Sequence, residues 1–167
     1  VLFSDKDENE FQFLKESHMK NTLLAVSLLV LATATASAAE VTYTQQIKPL
    51  FDDRCAACHG AEAAPEHKAF KLDKDKWLAK GQGMRMDTYS HLIGYIGWPD
   101  TGAIMRRLDD GTTREDQKPG NMYEYLGDSD IERQANLALF KAWVGNWTVK
   151  RFDALTKDDL AGIKVPY

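Results

Sequence analysis

The stretch RCAACHG, residues 54–60, holds both cysteines of the chain, Cys55 and Cys58, with His59 directly after the second. Three chemistries use such a pair: a structural disulfide, half of a zinc site, or a covalent haem anchor. A zinc site needs about four nitrogen or sulfur ligands. Here there is no second cysteine pair, and beyond residue 38 the histidines are His59, His67 and His91. A thioredoxin-like redox motif expects a βαβ setting, and no alternating or β-branched pattern flanks Cys55. A plain disulfide remains possible but leaves His59 unexplained. Haem attachment accounts for all three residues. The two thiols add across the vinyl groups of the porphyrin as thioethers, and His59 is carried beneath the ring, where its imidazole binds iron.

The element that must position these groups lies just upstream. In YTQQIKPLFDDRC, residues 43–55, Ile47, Leu50, Phe51 and Cys55 fall on one face of a helix. Thr44 is the expected N-cap. Pro49 requires the regular helix to begin close to it, in its first turn. A short helix therefore delivers Cys55 to the edge of the haem.

The stretch FDDRCAACHG and the helix before it resemble the bacterial class I monohaem c-type cytochromes, small periplasmic electron carriers. That resemblance implies an all-α, small cytochrome c fold wrapped around one covalent haem c and its iron. It also implies an N-terminal helix ending at the haem motif, a C-terminal helix crossing it, and a methionine as the sixth iron ligand. GWPDTGAIMRRLDDG and GNMYEYLG are similar to small periplasmic cytochromes that accompany extracellular electron-exchange systems such as iron oxidation.

Periodicity does not choose the methionine among Met84, Met86, Met105 and Met122. Met122 follows Pro119 and Gly120, which mark an extended turn that holds side chains out of helical geometry. After it, Ser129-x-x-Glu132 reads as a capping box, opening a helix from about Asp130 to Trp147. That helix sets Ile131, Ala135, Leu139, Ala142, Trp143 and Trp147 at helical spacings. The resembled family has this order of loop methionine, cap and aromatic-bearing final helix, and carried over it makes Met122 the axial ligand. The departure is Tyr123, where the family usually has proline. Met105 is the second candidate, within a short helix capped at Asp100 or Thr101. Met84 and Met86 flank Arg85 in a loop entering a helix capped at Asp87. His91 reads as structural and His67 as solvated.

The remaining surface is less specific. Lys68, Lys71, Lys74, Lys76 and Lys80 form a basic run that could steer an acidic partner, but Asp73 and Asp75 interleave, as on an ordinary solvated face. Trp77 is expected to pack this run onto the core. Leu92, Ile93, Tyr95, Ile96 and Trp98 are expected to wall the haem pocket, and Arg106 and Arg107 are candidates for its propionates. Thr156-x-x-Asp159 suggests a last short capped helix.

Upstream, Met19 to Ala38 has the form of a signal peptide: a lysine, an apolar run over Leu23–Leu31, and Ala36-Ser37-Ala38 before the cut. Residues 1–18 read as translated leader RNA, because Lys15-Glu16 can be encoded as a ribosome-binding sequence. Removing 38 of the 167 residues leaves 129, the size of one domain, here a single cytochrome c domain over 39–167. Three lysines and five carboxylates leave with that segment, taking the formal charge from −4 to −2. This balance argues against a general nucleic-acid binder, and no further apolar run is long enough for a membrane anchor. The expectation is a periplasmic carrier of single electrons between redox proteins rather than an enzyme, monomeric or in transient complexes. The alternative is a haem enzyme or gas sensor with a labile sixth site.

Overall fold

In the computed structural model, which describes residues 39–167, the chain becomes helical after Thr42, whose hydroxyl accepts from the Gln45 amide. The Gln46 side chain accepts in return from the Thr42 amide at 2.8 Å. Thr44, the expected cap, instead donates its hydroxyl to the Tyr167 carbonyl at 3.0 Å. A wide π-helical turn, Tyr43–Ile47, runs into α1, Lys48–Arg54, with Pro49 in the first turn, where its missing N–H costs nothing. Tyr43, Ile47 and Phe51 are buried along one side, and Leu50 is half-buried beside them. The leader over 1–18 and the signal segment over 19–38 lie outside the described residues.

After the cysteine motif come two short helices, α3, His67–Leu72, and α4, Lys74–Ala79 (α2 is the motif itself, described below). Asp73 caps α4 by accepting from the Lys76 amide at 3.3 Å. All five lysines of this hairpin are exposed, as on a solvated face. Trp77 does not reach the core. It ties the two helices together, donating to the Ala69 carbonyl at 3.1 Å, and Phe70 is the side chain that is buried.

Helix α5, Tyr89–Ile93, is capped by Thr88 rather than Asp87, whose carboxylate is occupied by Arg85 and His91. Helix α6, Ala103–Leu108, begins at Gly102 with φ 74° and no side-chain cap, so neither Asp100 nor Thr101 plays that part. A 3₁₀ turn, Tyr123–Leu126, precedes α7, Asp130–Val144. Ser129 caps α7, but Glu132 turns back to the Asp128 amide at 2.8 Å rather than to Ser129, so the box is displaced by one residue. Helix α7 stops at Gly145, whose φ of 82° only glycine adopts without strain. It therefore ends before Trp147.

The buried face of α7 is Leu137, Phe140, Trp143 and Val144. Ile131, expected inward, is 85% exposed. Tyr43 lies 6.1 Å from Trp143 at one end of the pair, and Arg54 meets Glu132 at the other. The π turn with α1 and helix α7 therefore lie against each other in opposite senses. Beyond Trp147, α8, Lys157–Ala161, carries the capping box expected of Thr156 and Asp159. The last residues then return as a strap: Val165 donates to Trp143, and the Trp143 indole donates to Pro166 at 2.8 Å. Tyr43, Tyr89, Trp143 and Tyr167 pack ring against ring at this junction. Each large apolar side chain buried here contributes roughly 1.5–3 kcal/mol. The described residues contain helices and no named strand, with one isolated bridge between Gly145 and Ile163. None of these helices is long and apolar enough to cross a membrane.

Candidate haem site

Cys55 is the last residue of α1's hydrogen-bonded run, its amide donating to Phe51 at 2.8 Å. The chain then makes one more helical turn, α2, Ala56–His59, in which the Cys58 and His59 amides both donate to Cys55, at 3.1 and 2.9 Å. One short helical element thus presents both sulfurs and the imidazole. Gly60 closes the turn because a Cβ there would stand 2.5 Å from the Ala56 carbonyl oxygen. The thiols are not joined in a disulfide. Cys58 is exposed and Cys55 half-buried, and burial pushes the Cys55 thiol up to about 11.

His59 is held from behind. Its Nδ1 lies 2.7 Å from the Met84 carbonyl oxygen. A carbonyl only accepts, so the proton sits on Nδ1 and the Nε2 lone pair is left for a metal. The same segment is pinned twice more, by Met86 donating to the His59 carbonyl and Arg85 donating to the Pro65 carbonyl, each at 2.9 Å. Gly83 permits this approach: a Cβ there would fall 2.4 Å from His59 Cε1. Gly83→Ala is therefore expected to swing the imidazole off the Met84 carbonyl, costing about 1–3 kcal/mol. A lowered melting temperature together with a disturbed axial-ligand spectrum checks it, and a wild-type spectrum would refute it.

The other candidates separate by geometry. Met84 and Met86 contribute the backbone behind His59, on the side away from Nε2. Met105 is fully buried in α6, and its sulfur accepts from the Thr148 amide at 3.2 Å. Both ring nitrogens of His91 lie against carboxylates, 3.2 Å from Asp87 and 3.1 Å from Glu66. His67, expected to be solvated, is half-buried, with Nε2 buried and without a hydrogen-bond partner, its ring edge-on to Tyr95. Met122 stands just before the 3₁₀ turn, half-buried against the core. Its segment is clamped to the end of α6 by Gly120 donating to Asp109 at 2.7 Å and Met122 donating to Arg107 at 3.0 Å. Gly120 allows this because a Cβ would meet the Arg107 carbonyl oxygen at 2.2 Å.

Of the expected wall, Leu92, Tyr95 and Ile96 are buried and Ile93 is half-buried, whereas Trp98 is 78% exposed in the turn before Pro99. Arg106 is occupied by the carbonyls of Thr101 and Lys150, and Arg107 by the Asn121 side chain. Sequence reasoning missed Met84, Gly83 and Arg85 as supports of His59. A backbone carbonyl leaves no trace in residue types, though the GQG at 81–83 hints at a close approach.

A family model described as PccH cytochrome c matches residues 42–167. Among solved structures, the chain is similar to the monoheme cytochrome PccH from Geobacter sulfurreducens. The identity is 66% and the TM-score 0.71, over 77% of this chain and 99% of that one. No curated protein matches the chain. The residues present fit a covalent haem: two unpaired thiols and an imidazole with its Nε2 free share one helical turn.

Proposed function

This chain belongs to the PccH cytochrome c family, with one covalently bound haem c and its iron and a role in electron transfer, and from that premise we propose a periplasmic carrier of single electrons whose iron is held by His59 and Met122. Cys55 and Cys58 carry the thioethers, which keep the group attached in either oxidation state. The haem supplies a one-electron ferric/ferrous couple. His59 gives its Nε2 to the metal while the Met84 carbonyl polarises Nδ1–H and fixes the ring orientation. Met122 would offer the iron a soft thioether sulfur, which would favour the ferrous state relative to a second imidazole. The buried Leu92, Tyr95 and Ile96 supply apolar surroundings from which water is excluded.

The observation that carries this reading is the pairing of His59 Nδ1 with the Met84 carbonyl. At the sixth position, engagement of the Met105 sulfur and of both His91 nitrogens counts against those two candidates and in favour of Met122. Export with cleavage after Ala38 rests on the signal-like segment. Cys58 at the surface offers the point of approach for donor and acceptor proteins in transient complexes. The test is the spectrum of the matured protein. A low-spin ferric form and a ferrous form that does not take up carbon monoxide are expected. High-spin ferric iron with immediate carbon monoxide binding would instead mark an open site, and with it a haem enzyme or gas sensor.

A further inference from the structure

Behind His59, a guanidinium, two carboxylates and an imidazole close into a ring. Arg85 pairs with Glu66 at 2.9 Å and with Asp87 at 2.6 and 3.0 Å. His91 sits on the far side, its Nε2 3.1 Å from Glu66 and its Nδ1 3.2 Å from Asp87. Three parts of the chain meet here: the loop after the cysteine motif, the extended segment 84–87 behind His59, and α5. The Met84–Arg85 peptide joins the ring to the metal-binding imidazole, its carbonyl accepting from His59 and its N–H donating to Pro65.

Carboxylates accept and do not donate. A neutral His91 would turn a lone pair toward one of them, so this arrangement suits an imidazolium. The Asp87 carboxyl is held below the usual carboxylate range, first by its bond from Arg85 and then by that from His91. Across a cavity of about 120 Å³, His91 also faces His67 of α3 and Tyr95. Burial pushes the Tyr95 hydroxyl up to about 12, so it stays neutral. With His91 charged the ring is neutral; without that proton it carries one negative charge.

We propose that Arg85 is a positioning residue for His59, and that the ring couples the proton on His91 to the electron, so that the reduced protein holds that proton more tightly. The inference rests on His59 being the proximal ligand. In balance, a donor protein supplies one electron to ferric iron and water supplies one proton to His91, and both leave on reoxidation. The ferric state adds a positive charge beyond His59 and repels the imidazolium. By linkage, a proton that favours reduction is itself favoured by reduction. The reduction potential therefore falls as pH rises through the histidine range.

The haem-bound protein is titrated between about pH 5 and 8, following the potential electrochemically and the His91 ring by NMR in both oxidation states. His91 is expected to bind its proton about 5-fold more tightly in the ferrous protein. His91→Gln should flatten the pH profile of the potential. Arg85→Met should flatten it too, with partial recovery in Arg85→Lys, which keeps the charge but not the fork. Equal titration midpoints in the two states, or an unchanged pH profile in His91→Gln, would overturn the coupling. If the Arg85 variants do not fold, the wild-type NMR titration decides alone. Failure of the coupling leaves the low-spin spectrum intact, whereas failure of His59 ligation changes that spectrum at every pH.

Discussion

Cys55→Ala/Cys58→Ala protein is expected to release all of its porphyrin into acidified organic solvent, leaving a colourless chain. Wild type should keep its colour bound through the same extraction and weigh more than its amino acids alone. The expectation follows from α2, which sets both sulfurs on one turn with no disulfide between them. Either single variant should remain covalently attached through the surviving thioether, at reduced yield. The haem-free chain tests the same point by reactivity. Cys58 is exposed, whereas burial lifts the Cys55 thiol to about 11, so thiolate-selective alkylation at neutral pH should modify Cys58 well before Cys55. Wild-type porphyrin that washes out under acid would remove the basis of the site.

Met122→Ala is expected to abolish the sulfur-to-iron charge-transfer band of the ferric protein and to open the sixth position. The ferrous form should then bind carbon monoxide, and the potential should fall with the loss of the thioether that favours ferrous iron. Removing a half-buried side chain together with its metal bond should also cost on the order of 2 kcal/mol in thermal stability, the low end for large-to-small changes. The clamp on residues 120–122 consists of main-chain bonds to Asp109 and Arg107, so it survives the substitution. The defect is therefore confined to the missing sulfur. Persistence of the band would transfer the ligand to another methionine. In that case Met105→Leu decides, because the Met105 sulfur now accepts from the Thr148 amide and its removal should otherwise leave the spectrum unchanged.

The parts of the molecule legible in advance share one property: their geometry is local. Capping of α8 by Thr156 and Asp159, the register of Ile47 and Phe51, and the start of α7 after Ser129 depend on residues a few positions apart. Departures arose where another partner claimed the side chain, where the backbone turned away, or where no neighbour covered the residue. Thr44 gave up its capping role to the C-terminal carbonyl of Tyr167. Asp87 gave up its own to Arg85 and His91. Trp147 left α7 because Gly145 turns the chain, and its indole donates to the buried Asp109 at 2.9 Å. Ile131 has helical spacing but no neighbour to cover it.

The same division runs through the haem site. By itself the sequence determined the haem-binding motif, the order of helices around it and the short set of methionines, because spacing within one helical turn brings Cys55, Cys58 and His59 together whatever else the chain does. Only the tertiary structure decided what stands behind His59: the Met84 carbonyl, the gap left at Gly83 and the ring through Arg85. The reason is that the first set of contacts is made by residue types at fixed short separation, whereas the second is made by backbone atoms and by charges that, apart from Glu66, lie more than twenty residues from His59. Those groups meet only once the loop has closed over the core.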